Sequence, residues 1–228
     1  MKTLYLTSLQ EKGGKTALAA ALGKRLLQNG KRVGYLKPFS ILSSPQEDAD
    51  THFIKDALDL KEPLESIEPQ AATKEALSSF ASSDLSNKLR SRCEGLSQDK
   101  DILILEGLSD PAIDTSPGWV ARHVADALGA KVVLIVRYRR CMEEGEIIAA
   151  AKELQPHLLG VVLNEVPSLS ERVAKASMVP SLEKESIPVL AVIPEDRLLL
   201  TLSIGELVEH LQGRWVVEPN NADELVEH

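Results

Sequence analysis

Ser8-Leu9-Gln10-Glu11-Lys12-Gly13-Gly14-Lys15-Thr16 is the stretch from which the rest of the chain is read. Ahead of it stands the apolar run Leu4-Tyr5-Leu6-Thr7, which predicts a buried strand. Behind it, Ala17 through Leu27 predicts a helix. A strand, a small-residue turn ending in Gly-Lys-Thr, and a helix form the context that a phosphate-binding loop requires. Glycines let backbone N–H groups converge on an anion, and the helix N-terminus adds partial positive charge. In this reading Lys15 reaches the β- and γ-phosphates and the Thr16 hydroxyl ligates Mg²⁺. One position departs from the common spacing, which places glycine where this chain has Leu9. The competing reading is an ordinary glycine-rich turn, which has no need of Lys-Thr at the helix start. Nucleotide binding is the expectation.

The 228 residues suit one α/β domain, and a hydrophobic content of 43% supports a sizeable core. With aromatics at 4%, that core is built mostly of Leu, Val, Ile and Ala. A formal net charge of −8 argues against a nucleic-acid-binding surface, which needs a basic excess. Two cysteines, Cys93 and Cys141, are too few for a disulfide framework. Met1-Lys2 leads directly into the first strand, so no signal peptide is expected. No apolar run reaches membrane-spanning length. The expectation is a soluble, cytoplasmic protein that contacts neither membrane nor nucleic acid.

Hydrophobic periodicity sets out the remaining elements. Lys31 to Pro38 reads as a second strand, Phe39 to Gln46 as a loop, and Thr51 to Leu58 as a short helix behind Asp48 and Asp50. Lys61 to Ala72 shows little periodicity, while Glu75 to Leu96 reads as helical with a break near Ser82-Ser83. Asp101 to Gly107 is an apolar run closed by Glu106, the pattern of a central parallel strand. Strands follow at Lys131–Arg137, Leu158–Asn164 and Ile187–Pro194. Helices are expected at Trp119–Leu128, Glu143–Leu154, Leu169–Lys184 and Ser203–Leu211, and a short strand at Trp215–Val217. Strands alternating with helices imply a parallel sheet with right-handed crossovers and a site at the strands' C-terminal ends. Those ends carry the phosphate loop, Lys37, Glu106 and Asn164. Glu106-Gly107 suits an acidic motif that holds Mg²⁺, directly or through water. Asp48 and Asp50 open a helix, so capping and metal roles stand open for each.

These residues together resemble the dethiobiotin synthetase-like branch of P-loop NTPases, which implies a three-layer α/β/α fold with a mostly parallel central sheet over residues 1–217. That family has five residues between its first loop glycine and Gly-Lys-Thr, which puts Ser8 at the glycine position. Glu11, Lys12, Gly13, Gly14, Lys15 and Thr16 fill the rest. Gly34-Tyr35-Leu36-Lys37-Pro38 is similar to the family's Gly-Tyr-Lys-Pro, with one extra residue. The resemblance implies catalytic roles for Lys15, Lys37 and Glu106, and places the metal aspartate best on Asp50, with Asp48 second. It implies Thr16, Asp50 and Glu106 as metal residues and Asn164 and Pro194 beside the nucleotide, with ATP and Mg²⁺ as cofactors.

A closer resemblance is to the N-terminal synthetase-like domain of phosphotransacetylase-like proteins, carried by Leu4-Tyr5-Leu6-Thr7-Ser8, Val192 to Leu199 and Ser203 to Leu207. In those proteins a DRTGG module follows. Asp223 to His228 resembles its opening, so residues 218–228 read as a linker or the start of that module, acting in cis or in trans. Gly107-Leu108-Ser109-Asp110-Pro111 carries one glycine where dethiobiotin synthetases have a glycine-rich substrate loop, and Phe39-Ser40-Ile41-Leu42 is bulkier than its counterpart. The resemblance therefore implies an ATP-binding regulatory or sensory domain with slow or no hydrolysis. An ATP-dependent ligase remains the enzymatic alternative. A dimeric partitioning-type ATPase is the third reading: Lys12 raises it through action across a homodimer, although Gln10 occupies the position of that family's second lysine.

Overall fold

The computed structural model describes residues 2–41, 48–80, 84–108, 119–140, 142–196, 203–217, 221–222 and 224. Six strands form the main sheet: β1 (Lys2–Ser8), β2 (Val33–Leu36), β5 (Ile102–Glu106), β6 (Lys131–Arg137), β7 (Leu158–Val166) and β8 (Val189–Pro194). Their order is β2-β5-β1-β6-β7-β8, and every pairing is parallel. Leu103, Ile104, Leu105, Val132, Leu134, Ile135 and Val136 are all buried on the central strands, as continuous apolar runs covered on both faces should be.

The helices cover both faces. The connection from β1 through α1 (Lys15–Gln28) to β2 runs toward one edge of the sheet. The connections through α6 (Trp119–Leu128) and α7 (Glu144–Glu153) run toward the other. Right-handed crossovers then put α1 on one face and α6 and α7 on the opposite one. Beyond Lys15 at its start, α1 buries small residues, Ala19, Ala20 and Gly23, and α2 (Ala49–Leu58) lies close against it. A Cβ at Gly23 would stand 2.6 Å from a methyl of Leu58.

Several expectations change. Phe39, expected in a loop, begins β3 (Phe39–Ile41), which pairs in parallel with β4 (Gln70–Ala72) inside the stretch read as aperiodic. The cause is tertiary: Phe39 is buried and packs edge-on against Phe80, centroids 5.6 Å apart. A short helix, α3 (Leu64–Ile67), precedes β4. The segment read as one broken helix is two, α4 (Lys74–Ser78) and α5 (Asp84–Leu96), with Ser82-Ser83 outside the described residues. After β7, α8 (Ser168–Val173) passes through a π turn at Ala174–Met178 into α9 (Val179–Lys184).

Trp215–Val217 is not a strand but an exposed bend following α10 (Ile204–His210). Among the described residues no strand pairs with this segment, so its exposed backbone is left to water. No helix among the described residues is long and apolar enough to cross a membrane.

Candidate functional site

The loop between β1 and α1 is anchored on both sides. Leu9 N–H donates to Ile135 O (3.0 Å), and Gln10 Oε1 accepts from Arg137 N–H (3.0 Å), so the first half of the loop continues along β6. Leu9 therefore needs no glycine-like conformation and packs its side chain on the core instead. Ser8 Oγ donates to Gln10 O (2.7 Å) and accepts from Lys15 Nζ (2.9 Å).

The two glycines are required by contact. A Cβ on Gly13 would lie 2.8 Å from Ser8 Cβ. One on Gly14, where φ is +90°, would lie 2.3 Å from Asn164 Nδ2. That same Nδ2 donates to Gly13 O (3.0 Å), tying the end of β7 to the loop. Glu11 and Lys12 are exposed at its apex, Lys12 with a left-handed φ of 52°.

Behind the loop lies a triad in which Tyr35 and Glu106 are buried and Thr16 is half-buried. Thr16 Oγ1 donates to Glu106 Oε1 (2.7 Å), and Tyr35 OH donates to Glu106 Oε2 (2.8 Å). Strand register produces it, because β2 and β1 flank β5, with Tyr35 opposite Ile104 and Leu6 opposite Glu106. Glu106 is 1% exposed, and burial pushes its carboxyl above the ordinary range despite the two hydroxyl donors. Burial also lowers the Lys15 ammonium, partly offset by the Glu106 charge.

Lys37, just past β2, makes a second charged group. Its Nζ lies 2.7 Å from Asp48 Oδ2 and 2.8 Å from Asp50 Oδ2. Burial pulls this ammonium down, but the bonds and charges of the two aspartates outweigh it and the net shift is upward. Asp48 also caps α2, accepting from Thr51 N–H (3.1 Å), while Asp50 lies in the first turn. The capping role therefore belongs to Asp48.

Thr16, Asp50 and Glu106 carry hard oxygen atoms of the kind Mg²⁺ takes, and Asp48 and Asp50 already hold one cationic group, the Lys37 ammonium. No group of three or more His, Cys, Asp or Glu among the described residues could hold a metal alone. That suits Mg²⁺, which is usually bound by one or two protein groups together with substrate phosphates.

Toward the far edge, Pro194 ends β8 opposite Val166 and is exposed. Arg137, the last residue of β6, pairs with Glu165, next to Asn164. Gln10 turns back onto Arg137 N–H and does not point outward as a trans-acting side chain would.

The fold thus joins Lys15, Thr16 and Glu106 in one place, Lys37 with Asp50 in another, and Asn164 with Gly13. Two partners are not evident from sequence. Tyr35 is legible there only as part of a motif, although its position two residues before Lys37 puts both side chains on one face of the strand path. Ser8 reads as a replaced glycine, whereas its hydroxyl holds Lys15.

A family model described as an AAA domain matches residues 2–201. Phosphate acetyltransferase from Deinococcus radiodurans is 26% identical over 224 residues, covering 92% of this chain and 32% of that protein. The chain thus spans about a third of that relative's length. ATP-dependent dethiobiotin synthetase BioD from Methanococcus vannielii is 24% identical over 176 residues, covering 74% of this chain and 81% of that protein. Among solved structures, an ATP complex of McdA from Cyanothece superposes with a TM-score of 0.52 at 18% identity, covering 96% of this chain and 99% of that one.

Proposed function

The chain belongs to the AAA domain family, and we propose that it is a Mg·ATP-binding P-loop domain with a regulatory or sensory role. The observation that carries the nucleotide reading is the bond from Thr16, in the phosphate loop, to Glu106, buried at the end of the adjacent strand. A metal-bound triphosphate needs a hydroxyl donor in the loop and a carboxylate behind it, held in fixed relation. Lys15 supplies positive charge to the phosphates, Gly13 and Gly14 leave the loop backbone open, and Asn164 faces the base. Thr16, Asp50 and Glu106 hold Mg²⁺, which neutralises phosphate charge.

The regulatory part rests on asymmetry. In the nucleotide half, Lys15 is bonded to Ser8, Thr16 to Glu106, and Asn164 to Gly13. By contrast, Phe39 beside Lys37 is committed to the β3–β4 core, and a Cβ at Gly107 would lie 2.7 Å from the Tyr5 hydroxyl and 2.9 Å from the Leu6 carbonyl, while Ser109 to Pro111 lie outside the described residues. Neither position offers the open, small-residue lining that a second substrate needs. ATP-dependent ligation beside Lys37 is the runner-up. The Trp215-Val216-Val217 segment is exposed, and a DRTGG-type partner that reads the bound state is part of the proposal. Homodimers and residence in the cytoplasm belong to the same proposal.

Calorimetry with ATP, GTP and CTP, each with Mg²⁺, tests the reading. ATP should bind best, and Lys15→Ala should abolish binding while melting at or above the wild-type temperature, because it removes a desolvated cation from a buried position. Wild-type affinity in Lys15→Ala would show the phosphate-loop assignment to be wrong.

A further inference from the structure

The aspartates beside Lys37 differ in a way that bears on when a metal can enter. Lys37 Nζ is within 2.7–3.0 Å of both Asp48 oxygens and 2.8 Å from Asp50 Oδ2. The Asp48 side chain is only 15% exposed and is further fixed by Thr51 N–H at the start of α2. The Asp50 side chain is 47% exposed, and Lys37 is its one ion-pair partner among the described residues. Asp48 is an anchor, and Asp50 is a carboxylate that can change partners.

We propose that Lys37 is a resident internal cation that closes the Asp48–Asp50 pair to free divalent ions, so that the metal enters only in company with the nucleotide's phosphates. This rests on the reading of Asp50 as a metal-side residue. Two aspartates two residues apart, without a counter-ion, attract a divalent cation strongly at a partly desolvated position. With an ammonium bonded to both, an arriving Mg²⁺ meets a net charge of about −1 rather than about −2 and must displace a hydrogen bond from Asp50. A triphosphate changes the balance, because it brings its own negative charge, which both compensates Lys37 and completes the metal's shell. Lys37 then keeps Asp48 while Asp50 turns to the metal. No bond is made or broken in this exchange except hydrogen bonds and ion pairs. Its consequence is an ordered uptake, in which the site stays free of metal until nucleotide arrives.

The test uses the full chain, stripped with a chelator, and Mn²⁺ alone as the probe, with bound ion read by electron paramagnetic resonance. Lys37→Met should bind Mn²⁺ without nucleotide at least about tenfold more tightly than wild type. Lys37→Arg, which keeps the charge, should bind it as weakly as wild type does. Adding Asp50→Asn to Lys37→Met should remove the gain. Lys37→Gln provides the same comparison if the methionine variant fails to fold, as judged by circular dichroism. Unchanged Mn²⁺ affinity in the neutral variants, or a gain that survives Asp50→Asn, overturns the proposal. Mg·ATP binding by the wild type is measured in parallel. Its presence alongside a failed Mn²⁺ gain sinks the exchange and leaves the nucleotide reading standing. Its absence sinks the nucleotide reading, and the Mn²⁺ comparison still decides the exchange.

Discussion

At the scale of single residues, the site is a set of contacts with no slack. Gly14 shows this best. Its φ of +90° is strained for any L side chain, and the space a Cβ would take is filled by Asn164 Nδ2 at 2.3 Å. Gly14→Ala should cost about 1–3 kcal/mol in folding stability and should also open the Asn164 to Gly13 bond. Thermal unfolding and ATP titration on the same sample check both effects, and a variant that melts with wild type would mean the loop can relax. Gly30 is the natural control: its φ is also positive, but a Cβ there would meet nothing within 4 Å. Ala at that position should affect stability only through backbone strain and leave nucleotide binding alone.

Among elements, the informative joint is between β7 and the phosphate loop. Asn164 ends the hydrogen-bonded run of β7 against β6, where its own carbonyl accepts from Tyr138 N–H (2.8 Å) and its side chain reaches across to Gly13 O. Strand register therefore ties the end of β7 to the phosphate loop. Asn164→Ala should weaken ATP binding about tenfold, the worth of a hydrogen bond or two. GTP binding should weaken less, so that discrimination for adenine narrows. Amide exchange at Gly13 to Lys15 should speed up in the same variant. Equal losses for both nucleotides with unchanged exchange would leave Asn164 neither a base reader nor a support for the loop.

For the molecule as a whole, the sheet order β2-β5-β1-β6-β7-β8 puts the chain reversal at β1, where crossovers depart in opposite directions. Ligands of open α/β sheets bind at such a point, beyond the strands' C-terminal ends. The phosphate loop is there. On the Lys37 side, β3 pairs with β4 and Phe39 is packed against Phe80, so its ring is committed to the core where the ligase reading would seat a second substrate. With diaminopelargonate, bicarbonate and Mg·ATP, the protein should therefore form no dethiobiotin detectable by mass. Joining an amine, CO₂ and a γ-phosphate demands near-attack geometry, and small misplacements cost orders of magnitude in rate. Product at an enzyme-like rate would restore the ligase reading.

The amino-acid sequence alone determined the six main strands, the phosphate loop and the polar residues at the strand ends. Each of these is written in local period or in a short motif with its own chemistry: the run from Ile102 to Glu106 reads as a buried strand wherever it is met. Interactions between distant segments were decided only by the tertiary structure. β3 forms because Gln70–Ala72 lies beside it and Phe80 covers Phe39, and no window around Phe39 contains either. Trp215–Val217 has strand-like residues but pairs with no strand among the described residues, so it stays a bend. The Asp48 cap on Thr51 N–H is local to the start of α2, whereas the seating of Lys37 on both Asp48 and Asp50 is tertiary. Tyr35 joined the site because parallel register set β2 beside β5 and brought its hydroxyl to Glu106. Local patterns specify what each segment can form; packing and register specify which atoms then meet.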